Sequence, residues 1–165
     1  MDIKVIKVGP LETNCYILTI DKKSIIIDPG DDFNKIKEAI GNNEVIGCLV
    51  THFHQDHIEA LEEVVSHYDV EINKPEYGDF KYEIIETPGH TFDSKTFYFK
   101  DINTMFTGDF IFKSSIGRTD LGGSDNDMKR SLEDFKKYDD NTIIYPGHGP
   151  KTTLGIEKIN FIFYY

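Results

Sequence analysis

What this sequence has little of narrows its function first. Lysine and arginine total 18 against 29 acidic residues, a net charge of −11. No basic patch stands out along the chain. Affinity for nucleic acid rests largely on phosphate neutralisation, so no nucleic-acid partner is expected. No stretch approaches the ~20 apolar residues of a membrane span, so no membrane partner is expected either. Residues 1–10 alternate charged and apolar side chains and lack the apolar core of a signal peptide, which predicts a cytoplasmic protein. Cysteine is scarce. Cys15 and Cys48 both lie in apolar strand patterns, which predicts buried free thiols rather than a disulfide framework. Linkers and low-complexity segments are also missing. One domain over residues 1–165 is expected, long enough to bury about 70% of its unfolded surface.

The chain does hold a dense run of metal-binding side chains, Thr51-His52-Phe53-His54-Gln55-Asp56-His57. Imidazole and carboxylate are preferred ligands of zinc and other transition metals, and four of them fall within six positions. An apolar strand pattern precedes the run and a helical pattern follows it, unlike a histidine-rich storage tract. If the backbone stays extended, His52 and His54 point to one side. Asp56 and His57, neighbours at a turn, should aim in different directions. Four such ligands suit two adjacent metals better than one.

Further candidates lie at other strand ends. His90 in Thr87-Pro88-Gly89-His90 and His148 in Tyr145-Pro146-Gly147-His148 each follow a β-branched stretch and a Pro-Gly pair. Ile25-Ile26-Ile27-Asp28-Pro29-Gly30 repeats the device, and Asp109 follows Gly108 after a fourth strand pattern. Proline ends strand pairing and glycine permits tight backbone, so each unit sets a polar side chain at a strand end. The sixth histidine, His67, has no metal-like neighbours in its helical run and reads as structural or solvated.

This ordered set resembles the metallo-β-lactamase superfamily in its glyoxalase II-like branch, from Leu11-Glu12-Thr13-Asn14-Cys15-Tyr16 through Asp28-Pro29-Gly30 and Gly117-Arg118-Thr119-Asp120 to Gly147-His148-Gly149-Pro150. The resemblance implies two divalent ions, zinc first with iron and manganese next. One would be held by His52, His54 and His90, the other by Asp56, His57 and His148, with Asp109 shared. It implies a binuclear hydrolase of a small thioester or ester, in which the two ions lower the pKa of a shared water. Asp56 would also hold that water or shuttle its proton, and Asp28 would orient a ligating imidazole or simply cap the turn before Pro29. The same resemblance admits a lactone or β-lactam hydrolase and a mononuclear iron oxygenase like the persulfide dioxygenases.

Pattern alone predicts a layered α/β fold; the resemblance adds a four-layer αββα sandwich. Strands are expected at 3–8, 15–20, 23–27, 45–50, 70–72, 82–86, 95–99, 104–107 and 142–145. Helices are expected after the N-cap candidates Asp31-Asp32, from Asp56 to Tyr68, around Met128, Leu132 and Phe135, and from Leu154. Residues 110–127 form a long polar loop in which Arg118 either clamps a substrate carboxylate or, preferably, ties to Asp120 or Asp125. The connection at 73–79 is shorter than the covering segment that the resemblance implies there, so an open site is expected, closed by Tyr77 or by a second copy of the chain. The aromatic end, 161–165, should pack on the core or on that second copy, and a homodimer is compatible with it.

Overall fold

The computed structural model describes residues 1–164; Tyr165 lies outside the described residues. The chain divides into two compact units, residues 1–81 and 82–165.

The first unit is built on a four-stranded sheet of order β1-β2-β3-β4: β1 (Asp2–Val8), β2 (Thr13–Ile20), β3 (Lys23–Ile27) and β4 (Glu44–Leu49). The first three strands pair antiparallel through short turns. The helix α1 (Phe33–Ile40) then carries the chain across so that β4 runs parallel to β3. Val8, Cys15, Ile17, Ile26, Cys48 and Val50 form one core with Ile36 and Ile40 of α1 and Val64 of α3 (Leu61–Tyr68). The opposite-parity residues Tyr16, Leu18, Ile25, Ile27 and Leu49 are buried too. Burial on both faces is why these strands read as near-continuous apolar runs.

The second unit repeats the device. Its five-stranded sheet has the order β11-β10-β7-β6-β5, from β5 (Glu83–Glu86), β6 (Lys95–Phe99), β7 (Thr104–Gly108), β10 (Ile143–Pro146) and β11 (Thr152–Thr153). The parallel pair β7/β10 is joined through α4 (Asp125–Phe135), whose first turn is capped by Ser124 accepting from the Asp127 backbone N–H. Met105, Phe110, Ile144, Met128, Leu132 and Phe135 fill the core beside Leu154 of α5 (Leu154–Lys158). The segment expected as a loop contains a small hairpin, β8 (Ile111–Phe112) with β9 (Ser115–Ile116), before α4 begins. Buried Glu157 fastens the hairpin turn by accepting from the Ser114 backbone N–H (2.8 Å) and the Thr152 hydroxyl (2.6 Å).

Four expectations need correction. The helix expected from Asp56 to Tyr68 is two, α2 (Gln55–Ile58) and α3. The Glu59 and Ala60 N–H groups donate to the carbonyls of Gly30 and Pro29 rather than along a helix, which breaks it there. Asp32 precedes α1 but does not cap it with its side chain; its carboxylate accepts from the Gly9 backbone N–H at 2.9 Å. The strand expected at 70–72 is a single bridge from Ile72 to Cys48, and the Asn73 side chain completes the edge by pairing with both backbone groups of Val50 (2.7 and 3.2 Å). Tyr77 closes nothing. It is buried, its hydroxyl is 2.5 Å from the Glu71 carbonyl, and its ring occupies the space that a Cβ on Gly47 would need.

At the chain end, Phe161 enters the core of the second unit, while Ile162 and Phe163 stay more than two-thirds exposed. His67 is exposed and packs edge-on against Phe33 and Tyr68, in line with a solvated or structural residue.

Candidate metal centre

In both units the chemistry-bearing side chains follow the carboxyl ends of strands, where a rigid sheet hands over to loops. Asp28 follows β3, His52 and His54 follow β4, His90 follows β5, Asp109 follows β7 and His148 follows β10.

In the first unit Asp28 is the organiser. It is buried with φ 53°, and its backbone N–H donates to the Leu49 carbonyl (3.0 Å). One carboxylate oxygen accepts from the Thr51 backbone N–H (2.8 Å). The other accepts from the Thr51 hydroxyl (2.6 Å) and meets His57 Nδ1 at 2.8 Å. The Thr51 hydroxyl stands 3.1 Å from His52 Nδ1. Its proton already goes to Asp28, so it receives the Nδ1 proton of His52. The ring of His52 lies 5.0 Å from that of His54 and 4.2 Å from that of His57. Asp56 is held by the Thr13 hydroxyl (2.9 Å), and the same carboxylate oxygen is 3.3 Å from His57 Nε2. Gly30 makes this close approach feasible, since a Cβ there would run into the backbone oxygen of Asp56.

The second unit supplies the remaining three candidates. His90 Nδ1 donates to the backbone carbonyl of Arg118 (2.6 Å). One carboxylate oxygen of Asp109 is 3.5 Å from His90 Nε2 and 3.4 Å from His148 Nε2. Gly117 sits where a Cβ would meet the Asp109 carbonyl, which lets the hairpin deliver the Arg118 carbonyl to His90. The guanidinium of Arg118 pairs with both oxygens of Asp120 (2.6 Å each), so the side chain serves the loop. That hydrogen bonding, with the cation's charge, holds the Asp120 carboxyl down at about 2.

The tautomers test whether this set fits a metal. A carbonyl can only accept, the Thr51 hydroxyl has spent its proton, and a carboxylate needs a donor. His90, His52 and His57 therefore carry their hydrogen on Nδ1 and present a lone pair at Nε2 when neutral. At His57 and at His90 that lone pair faces a carboxylate oxygen. Two electron-rich atoms at 3.3–3.5 Å repel unless a cation lies between them. A proton or a metal ion can serve, and imidazole nitrogen with carboxylate oxygen is the donor set of divalent transition metals. The residues fit the group.

Five of the seven expected ligands, His52, His54, His90, Asp109 and His148, thus follow strand ends, while Asp56 and His57 lie in α2. Three supporting groups were not foreseen: the Thr13 hydroxyl, the Thr51 hydroxyl and the Arg118 carbonyl. Threonines are common in strands and a backbone carbonyl has no side-chain signal, so nothing in the sequence marked them.

The sequence profile of the metallo-β-lactamase superfamily matches residues 8–78 and 76–148. The hydroxyacylglutathione hydrolase GloC of Haemophilus influenzae is 30% identical, over 96% of this chain and 95% of its own. Among solved structures, BLEG-1 B3 metallo-beta-lactamase aligns with a TM-score of 0.89 at 28% identity, covering 99% of both chains. A di-iron-bound form of TTHA1623 aligns with a TM-score of 0.85 at 26% identity, over 93% of this chain and 96% of that one. The α/β sandwich expected from the sequence is therefore the fold class.

Proposed function

Because the chain belongs to the metallo-β-lactamase superfamily, we propose that it is a binuclear metal-dependent hydrolase of small acyl thioesters or esters. The observation that carries this reading is the set of imidazoles pinned at Nδ1, with Nε2 turned toward carboxylate oxygen at His57 and His90. His52, His54 and His90 would hold one ion, Asp56, His57 and His148 the other, and Asp109 both. Zinc is the first choice; the di-iron-bound form of TTHA1623 keeps iron in contention, and manganese accepts the same donors. Ions held by these residues would supply a water of lowered pKa and positive charge to offset the negative charge that develops on a carbonyl oxygen.

The chain's own residues do the rest. Asp28 fixes the tautomer and the angle of His57 directly, and those of His52 through Thr51. Thr13 orients Asp56, leaving its carboxylate placed to accept a proton from water and return it to the leaving thiolate or alkoxide. Arg118, through its carbonyl, does for His90 what Asp28 does for His57.

The test is a hydrolysis screen on metal-loaded protein, with S-lactoylglutathione, acyl N-acetylcysteamine thioesters and simple aryl esters. Turnover of at least one thioester, abolished by a chelator and restored by the metal, is the expected result. Inertness toward all of them, with oxygen uptake in the presence of a persulfide, would replace the hydrolase by an iron oxygenase.

A further inference from the structure

Glu157, on α5, is a buried carboxylate with no direct part in the proposed chemistry. One of its oxygens accepts from the Ser114 backbone N–H and the other from the Thr152 hydroxyl, and no cation pairs with it among the described residues. A buried charge held only by neutral donors is costly, and an apolar residue of similar volume often packs at no loss. The two bonds, at 2.8 and 2.6 Å, are of the strong, charge-assisted kind. α5 is itself fixed. Leu154 lies in the core, the Leu154 and Gly155 N–H groups donate to the Thr142 and Asp140 carbonyls (2.9 Å each), and Lys158 pairs with Asp140 (2.7 Å).

Glu157 grips the turn of the hairpin β8/β9. Ser114 there has φ 65°, a left-handed conformation uncommon outside glycine, and its carbonyl accepts from the Tyr164 hydroxyl (3.3 Å). Both arms of the hairpin adjoin candidate ligands. β8 begins two residues after Asp109, and the Phe112 ring stands edge-on to that of His148, centroids 6.0 Å apart. β9 runs through Gly117 into Arg118, whose carbonyl takes the His90 Nδ1 proton (2.6 Å). The arms pair only at Ile111↔Ile116 and Phe112↔Ser115, and so short a ribbon has little stability of its own. At its base the β8 arm is tied by the Thr107 hydroxyl to the Ile111 carbonyl (3.0 Å), whereas the β9 arm has the longer bond from the Gly117 N–H to the Phe110 carbonyl (3.4 Å). The arm that serves His90 therefore depends most on the grip at the turn.

We infer that Glu157 is a positioning residue of the metal centre: by holding the hairpin turn it keeps the Arg118 carbonyl on His90 and His90 Nε2 aimed for an ion. This positioning deepens the hydrolase reading above and rests on it. Loss of a direct orienting partner typically lowers metal affinity about 10–100-fold. Glu157 acts through such a partner, so its loss should fall at the lower end, about tenfold.

The experiment follows the His90 Nδ1–H proton by NMR in metal-free protein and measures zinc affinity by competitive titration. The resonance is assigned by its absence from the His90→Gln variant. In the native protein the proton should exchange slowly with water. Glu157→Ala should lose that protection and about tenfold in zinc affinity. A glutamine can still accept from the Ser114 N–H while its amide donates to the Thr152 hydroxyl, so Glu157→Gln should recover most of both. Thr152→Val removes one of the two bonds and should move both readouts the same way, less far; it stands in for the alanine variant if that one does not fold. Leu132→Val, a core change on α4 that deletes none of these bonds, should lower thermal stability and move neither readout. Slow exchange and native affinity in Glu157→Ala and Thr152→Val would overturn the inference. Equal losses in Leu132→Val would also overturn it, leaving Glu157 a residue of stability alone. Native protein that binds zinc yet hydrolyses no thioester or ester would overturn the hydrolase reading and leave the positioning of His90 intact, since neither readout is turnover.

Discussion

Asp28 Oδ2 stands 2.8 Å from His57 Nδ1, with both side chains buried. Three groups of the chain converge on that carboxylate, two from Thr51 and one from His57. A buried carboxylate is tolerable only when its lone pairs are used in this way. Asp28 is thereby tied to its place at a left-handed turn, φ 53°, which few side chains other than Asp and Asn adopt readily. Of the two alternatives from sequence, the carboxylate's bonds follow the orienting acceptor: they go to Thr51 and His57, and none goes to the turn before Pro29.

Asp28→Asn should weaken metal binding and turnover by about 10–100-fold, the usual cost of losing an orienting partner. The amide cannot accept on both sides at once, so the His57 ring loses its fixed tautomer. Asp109→Asn should cost more, because it removes the negative charge and one of the two oxygen donors of a carboxylate that faces His90 and His148 together. Competitive metal titration of both variants, with folding checked by circular dichroism, gives the ranking. Near-normal metal affinity in Asp109→Asn would remove that residue from the proposed ligand set.

Thr13→Val removes one charge-assisted hydrogen bond to Asp56 with little change of volume. The expected effect is a fall in kcat of about tenfold with a smaller change in KM, from a bond worth roughly 1.5–3 kcal/mol. Thr13→Ser keeps the hydroxyl and should recover most of the rate. A Ser variant no better than Val would mean that Thr13 matters to packing and leaves Asp56 untouched.

Much of this was legible from the chain, for identifiable reasons. His52, His54, Asp56 and His57 are dense in sequence, and His90, Asp109 and His148 each follow a strand pattern that ends in Gly or Pro-Gly, so residue type and spacing marked them. The supports were harder. Thr13 meets Asp56 across 43 positions and the Arg118 carbonyl meets His90 across 28, contacts that no local periodicity encodes. The break between α2 and α3 was hidden for a similar reason. Apolar spacing runs on through Ile58 and Leu61, and only the carbonyls of Pro29 and Gly30, remote in sequence, draw the backbone N–H groups away.

Cys15 and Cys48 should resist modification while the protein is folded. Burial pushes both thiols up from their ordinary 9.0, helped by the nearby Cys48 and Asp28 at Cys15 and by Asp28 at Cys48. Folding therefore favours the neutral thiols. Their contribution to stability is complete below pH 9.0 and declines above it, as thiols of the unfolded chain ionise first. Alkylation with iodoacetamide at pH 8, read by intact mass, should leave both unlabelled until denaturant is added. Rapid labelling of either in native conditions would show that the first unit opens locally around β2 or β4.

The central claim is a two-ion centre, and metal stoichiometry tests it most directly. Protein stripped by a chelator, reconstituted with zinc, iron or manganese and desalted should carry two ions per chain by elemental analysis. The His148→Ala variant, which removes a ligand proposed for only one of them, should carry one. A native chain that holds a single ion under every condition, unchanged in number by His148→Ala, would contradict the account.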